Sequence, residues 1–135
     1  MSRGLRNNNP GNIRLDGVHW KGEKEPSADK EFKQFKTMAW GYRAMFQCLN
    51  TYYTKYGLDT IRKMISRWAP PTENHTDNYV KAVSDRSGTP PDSRITATNR
   101  DVIVPIVAAM SCVENGVDAR MADVEAGWEL FLQNR

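Results

Sequence analysis

From residue 38 onward apolar side chains return every three or four positions, and each such stretch before the last is closed by glycine, proline or an Asn-Gly pair. That pattern restricts most of the chain to amphipathic helices packed on a common core. Met38, Tyr42, Met45, Leu49, Tyr52 and Tyr56 form the first stripe, with Phe46, Cys48 and Tyr53 beside it and Gly57 as the stop. A second helix is expected from Asp59 or Thr60, with Ile61, Met64, Ile65 and Trp68 inward and Pro70-Pro71 ending it. Asn74 is read as the cap of a third, with Asp77 in its third helical position and Tyr79, Val80 and Val83 facing the core. Residues 84–93, holding Gly88, Pro90 and Pro91, then read as either a mobile, substrate-edge loop or a plain connection.

Thr98 with Asp101 resembles a capping box opening the most apolar helix, which carries Val102, Ile103, Ile106, Val107, Met110 and Val113 and stops at Asn115-Gly116. Pro105 fits only near its start, or else bends it. Asp118 is the expected cap of the last helix, with Met121, Val124, Trp128 and Phe131 inward.

The first 36 residues lack this periodicity. They read as non-helical, with strands at 12–15 and 31–35, core anchors Phe32 and Phe35, and a turn-rich loop over 17–29 that contains Trp20, Gly22 and Pro26. The expected architecture is a single α+β domain over 1–135, mostly helical, with a turn and small β-ribbon in 1–36 and helices in 37–135. At 39% hydrophobic and 26% charged residues, the composition excludes disorder. With no apolar run of 18 residues, the sequence predicts no membrane insertion, and Met-Ser-Arg-Gly opens no signal peptide.

Chemistry is narrowed by what is sparse. Cys48 and Cys112 fall in apolar helical stretches and read as buried thiols, and His19 and His75 lack the spacing of a helical zinc motif, so neither metal nor cofactor is expected. A net charge of +3 attracts acidic partners only weakly. Arg3, Arg6 and Arg14 cluster, as do Arg62, Lys63 and Arg67, but no aromatic and basic alternation accompanies them, which argues against a nucleic-acid partner.

Three phrases carry a family likeness. They are residues 3–14, with Asn7-Asn8-Asn9-Pro10-Gly11-Asn12 at their centre; Trp40-Gly41-Tyr42-Arg43-Ala44; and Arg67-Trp68-Ala69-Pro70-Pro71-Thr72-Glu73-Asn74-His75-Thr76, with Tyr79 one turn on. Together they resemble the lysozyme-like proteins of phages and prophages, and their order is similar to that in cell-wall glucosaminidases and lytic transglycosylases. The resemblance implies a lysozyme-like fold with a cleft between ribbon and helices. It implies bacterial peptidoglycan as partner, with phage structural proteins as further partners. The protein would then be a muramidase or lytic transglycosylase, in the virion or in the host cytoplasm before lysis, or a catalytically inactive virion or wall-binding protein of the same fold.

Enzymes of that kind carry a glutamate at the end of a helix just before the asparagine-rich turn, whereas the six residues before Asn7 contain no acid. Glycoside cleavage still needs a carboxylic acid to protonate the leaving oxygen. Glu114 is the leading substitute, because Val113-Glu114-Asn115-Gly116 resembles a displaced copy of the missing helix end, as a circular rearrangement would produce. Its negative charge at a helix C-terminus also opposes the helix dipole. Glu31, with Glu25 and Asp29 nearby, is a second carboxylate if the ribbon faces the cleft, and Glu73 a third if it does more than brace the proline turn. Asn8, Asn9, Asn12, Asn74, Trp20 and Tyr79 are the expected sugar-binding residues. Asparagine amides match N-acetyl and hydroxyl groups, tryptophan stacks on a sugar ring, and Gly11 is expected to permit an unusual backbone angle.

Overall fold

The computed structural model describes residues 1–72 and 74–135. The chain is mostly helical with a two-stranded antiparallel ribbon near its N-terminus. The elements are α1 (Arg3–Arg6), β1 (Glu23–Lys24), β2 (Gln34–Phe35), α2 (Met38–Tyr56), α3 (Ile61–Trp68), α4 (Thr76–Ser87), α5 (Arg100–Asn115) and α6 (Met121–Gln133).

Helix α2 lies along α6, and Gly127 permits the approach, since a Cβ there would stand 2.5 Å from Tyr42 Cβ and 2.9 Å from the Ala39 carbonyl oxygen. Phe46, Trp128 and Phe131 fill this seam, the Phe46 and Trp128 rings meeting edge to face at 5.1 Å. On the other side α4 packs against α5, and α3 against α4. Ile61, Met64, Ile65, Val80, Val83, Ile103, Ile106, Val107 and Met110 complete one continuous core. Where Tyr42 enters it, its hydroxyl meets Ser111 Oγ at 2.9 Å, leaving no orphaned polar group there.

The helix stops at Gly57 and Gly116 and the Thr60 cap of α3 agree with the sequence pattern, while several other expectations are corrected. Tyr56 and Met121 are exposed, and Phe46, expected at the flank, is core. At the start of α4 the cap position belongs to His75; Asn74 instead donates to the Pro70 carbonyl at 3.2 Å, closing the proline turn. Asn99 stands at the start of α5, so the Thr98 and Asp101 box does not form and Asp101 pairs with Arg100 at 3.2 Å. Arg120 precedes α6, because Asp118 is drawn to Arg86 on α4 at 3.1 Å. Residues 84–87 are helix, and the chain after them is tied to α3 by Arg62 N–H to the Pro91 carbonyl (3.0 Å) and the Arg62–Asp92 ion pair (2.8 Å).

The N-terminal region departs furthest from expectation. Ser2 caps a single helical turn, accepting from Leu5 N–H at 3.2 Å. One turn has no periodicity to read, and this one is held from outside: the Ser2 hydroxyl donates to Asn115 Oδ1 at 2.7 Å. The ribbon pairs Glu23 with Phe35 and Lys24 with Gln34, so one strand lies inside the expected loop. Of segment 12–15 only Arg14 bridges, opposite Phe32. The ribbon is braced by a lysine rather than by apolar packing alone. Lys33 Nζ, almost fully buried, donates to Glu23 Oε1 (2.9 Å), Asp16 Oδ1 (2.7 Å) and the Val18 carbonyl (2.8 Å). Burial alone would lower this ammonium's pKa, yet the two carboxylates outweigh it and hold the group above its ordinary value.

Residues 7–12 form the turn against which everything else is set. Asn8 (φ 51°) and Asn12 (φ 50°) take the left-handed conformation, which asparagine tolerates best after glycine. Asn9 is fully buried, donating to the Ile13 and Lys33 carbonyls and accepting from Ile13 N–H, each at 2.9 Å. Helix α2 meets the turn at Gly41, where a Cβ would lie 2.1 Å from the Asn8 carbonyl oxygen. Asp29 clamps the start of the chain. It accepts from Arg3 through both carboxylate oxygens (2.7 and 2.8 Å), from Asn7 Nδ2 (3.1 Å) and from Glu31 and Phe32 N–H.

Gly41→Ala should destabilise the protein by about 2 kcal/mol or more, because the backbone clash outweighs the roughly 1 kcal/mol that alanine gains in a helix. Urea denaturation checks this, and an unchanged or raised midpoint would contradict it. Asp29 makes a second prediction. The Arg3 hydrogen bond first, and then the Glu31 N–H, hold its carboxyl well below the ordinary carboxylate range. Since folding lowers this pKa, the stabilisation is whole above about pH 4 and fades as the pH falls below it. Asp29→Asn should therefore flatten the acid limb of a stability profile; a limb as steep as the unsubstituted protein's would refute the assignment.

Candidate functional site

Between the asparagine turn, the ribbon and the C-terminal end of α3 runs an open groove of about 720 Å³. Glu114 sits on its floor because α5 ends there, Gly116 (φ 73°) turning the chain away immediately after Asn115. Asn115 locks this end to the turn, donating to the Pro10 carbonyl at 2.9 Å while accepting from Ser2. Gly4 makes room for the junction, since a Cβ there would stand 2.7 Å from both Asn115 Oδ1 and Asn12 Oδ1.

Three side chains from three parts of the fold converge on the Glu114 carboxylate. Asn12 Nδ2 donates to Oε1 at 3.0 Å; Tyr79 OH and Trp68 Nε1 donate to Oε2 at 2.8 and 3.3 Å. Tyr79 is buried beside the core, and its hydroxyl pKa is driven far above the ordinary phenol range, by burial first and then by the Glu114 charge. It therefore stays a neutral phenol and serves as a hydrogen-bonding partner rather than as a base. Trp68 packs against the turn at Gly11. A Cβ on Gly11 would come within 2.8 Å of Trp68 Cζ2 and 2.9 Å of Met45 Cγ, so this glycine supplies space, while the positive φ angles fall at Asn8 and Asn12.

The walls carry aromatic rings and guanidinium groups. Trp20 and Phe32 stand on the ribbon side, where Trp20 Nε1 donates to Asp16 at 3.1 Å. The Arg14 guanidinium lies 4.9 Å from the Phe32 ring centre. On the helical side Arg67 lies over Tyr56 (3.9 Å) and Tyr52 (5.3 Å), next to Cys48. Burial pushes the Tyr52 hydroxyl up to about 12, leaving it un-ionised beside Arg67. Cys48 and Cys112 are half-buried free thiols.

The groove thus gathers Glu114, Asn12, Trp20 and Asn74 from the residues expected to form a site, with Tyr79 reaching Glu114 from behind. Others lie elsewhere. Glu31 is exposed and pairs with Arg14 (3.5 Å) and Arg3 (3.9 Å), outside the groove lining. Asn9 is spent on the turn's own backbone, and the Asn8 amide donates to the Phe35 carbonyl at 3.2 Å. Glu73 lies outside the described residues. His19, Glu23 and Glu25 come together on the ribbon, but Glu23 is already engaged by Lys33. Trp68, Arg67, Phe32 and Tyr52 line the groove without having been expected to. Trp68 follows the inward stripe of α3, but at the helix's last position its ring projects past the core onto Gly11.

No family model matches the chain. It is similar to Protein P5 of Pseudoalteromonas phage PM2, with 40% identity over 132 residues covering 95% of this chain and 81% of that protein. Among the described residues, no helix is long and apolar enough to cross a membrane.

Tyr79→Phe removes a donor to the Glu114 carboxyl oxygen Oε2. It should lower stability by about 1–2 kcal/mol in urea denaturation. An unchanged midpoint would mean that the Tyr79 and Glu114 hydroxyl contact contributes nothing to the fold.

Proposed function

The chain belongs to the family of that phage protein, and we propose that it is a lysozyme-like enzyme that cleaves the glycan strands of bacterial peptidoglycan, as a muramidase or lytic transglycosylase. The observation that carries this reading is the Glu114 carboxylate on the floor of an open, aromatic-walled groove, held by Asn12, Trp68 and Tyr79. This mechanism requires a proton on the Glu114 carboxyl, which passes to the glycosidic oxygen as the bond from that oxygen to the anomeric carbon breaks. Negative charge then grows on Glu114, where three donors are already aimed, so their bonds strengthen as the transition state forms. In a hydrolase water adds to the anomeric carbon and its proton leaves to solvent or a base. In a transglycosylase the sugar's own hydroxyl adds instead. Asn12 and Asn74 offer amides to N-acetyl and hydroxyl groups, and Trp20 offers a ring face to a sugar. Phage structural proteins are the further partners proposed, with action at the wall from the virion or after release from the host cytoplasm.

One feature favours a second reading, a catalytically inactive wall-binding or virion protein: all three Glu114 contacts are donors supplied by the protein itself, which also suits a carboxylate serving only to join α5, α3, α4 and the turn. Purified protein incubated with sacculi from several bacteria over a range of pH separates the two. The enzyme releases muropeptides, and Glu114→Gln should reduce that release about 10²-fold or more while the protein stays folded. Binding to sacculi without release would favour the inactive protein. Failure of the unsubstituted protein to release any muropeptide would end the enzymatic reading.

A further inference from the structure

The groove is electrostatically lopsided in a way that a neutral sugar chain does not require. Arg14 on the ribbon side and Arg67 on α3 both line it, against the single described carboxylate of Glu114, which already has three hydrogen-bond donors. Both arginine side chains are solvent-exposed, but each guanidinium has an aromatic neighbour. Arg14 is stacked on Phe32 and Arg67 on Tyr56 and Tyr52, so each charge is held against the groove by an aromatic face. Arg14 has Glu31 at 3.5 Å, whereas among the described residues Arg67 has no carboxylate within salt-bridge distance. The un-ionised Tyr52 hydroxyl beside it does not neutralise it. A planar guanidinium fixed in this manner at the edge of a cleft is matched to a carboxylate of the bound molecule.

We propose that the groove selects amino-sugar polymers that carry carboxylates on their side groups, and that Arg67 is the residue that recognises one of those carboxylates. The inference rests on the reading of the groove as a glycan cleft and adds a selectivity to it: an acidic strand, such as one with lactyl or peptide carboxylates, is preferred to a neutral N-acetylglucosamine polymer. Arg14, already shared with Glu31, contributes less.

The test compares two probes, chitohexaose, which is neutral, and soluble uncrosslinked peptidoglycan strands of similar length, which are acidic. Dissociation constants are measured by calorimetry in the Glu114→Gln background, so that neither probe is consumed. The acidic strands should bind at least tenfold more tightly, and that preference should shrink as salt is raised. Adding Arg67→Gln should cut the preference about tenfold, and Arg67→Lys should restore part of it, because charge remains while the planar fork is lost. Equal binding of both probes would overturn the selectivity while leaving a glycan cleft in place. A preference untouched by Arg67→Gln in a folded protein would overturn the role of Arg67, and no binding of either probe would overturn the inference together with the reading beneath it.

Discussion

The contact between the end of α5 and the asparagine turn organises this structure. Asn115 donates to the Pro10 carbonyl and to its own helix at Ser111, and accepts from Ser2, so one side chain joins the last turn of α5, the first turn of the chain and the loop between them. The join is tight enough that Gly4 has no room for a Cβ, and α2 presses as closely on the same turn at Gly41. Once α5 is docked, Glu114 has no choice of environment. It falls where Asn12 stands on one side and Tyr79 and Trp68 on the other, at the floor of the groove.

The asparagine turn has two separable duties. Asn7 and Asn9 are buried and spend their amides on the protein, Asn7 on Asp29 and Asn9 on the backbone at Ile13 and Lys33. Asn8 adopts a left-handed backbone and braces β2, which leaves Asn12 alone facing the groove. A run that looks like a row of equivalent polar groups is therefore mostly scaffold. That division follows from geometry: a tight turn must satisfy its own buried backbone groups before any side chain is left for a ligand.

Glu114 could be picked out from the sequence because an acid at a helix C-terminus has no local stabilising reason, and Tyr79 and Asn12 because they lie in phrases with a family likeness. Glu31 is the second carboxylate the sequence offers, on an expected strand, but a strand's period of two says which face a residue takes and not what covers that face; here Glu31 lies outside β2 and pairs with Arg3 and Arg14 in solvent. Trp68 does pack against the core, as its spacing predicts, but it has a second role that spacing does not show. Its spacing from Ile61 and Ile65 is that of a core residue, and only its place at the end of α3 carries its ring beyond the core. The caps at Asn74, Thr98 and Asp118 failed because each side chain or its neighbour found a nonlocal partner or the helix began a residue or two later, shifts that local pattern does not resolve.

What the sequence by itself determined is the series of helices after residue 37, their glycine stops at 57 and 116, most of the apolar faces they bury and the presence of a small ribbon in the N-terminal region, since all of these follow from local spacing and backbone preference. What only the tertiary structure decided is the site. Glu114 meets partners 102, 46 and 35 residues away in the chain, and the guanidinium groups of Arg14 and Arg67 face one groove from opposite walls. Periodicity constrains which face of a helix is buried, but contains nothing about which helix end will meet which turn; that is settled by packing, where a missing Cβ at Gly4, Gly11 and Gly41 lets backbones and rings approach closely enough to build a site.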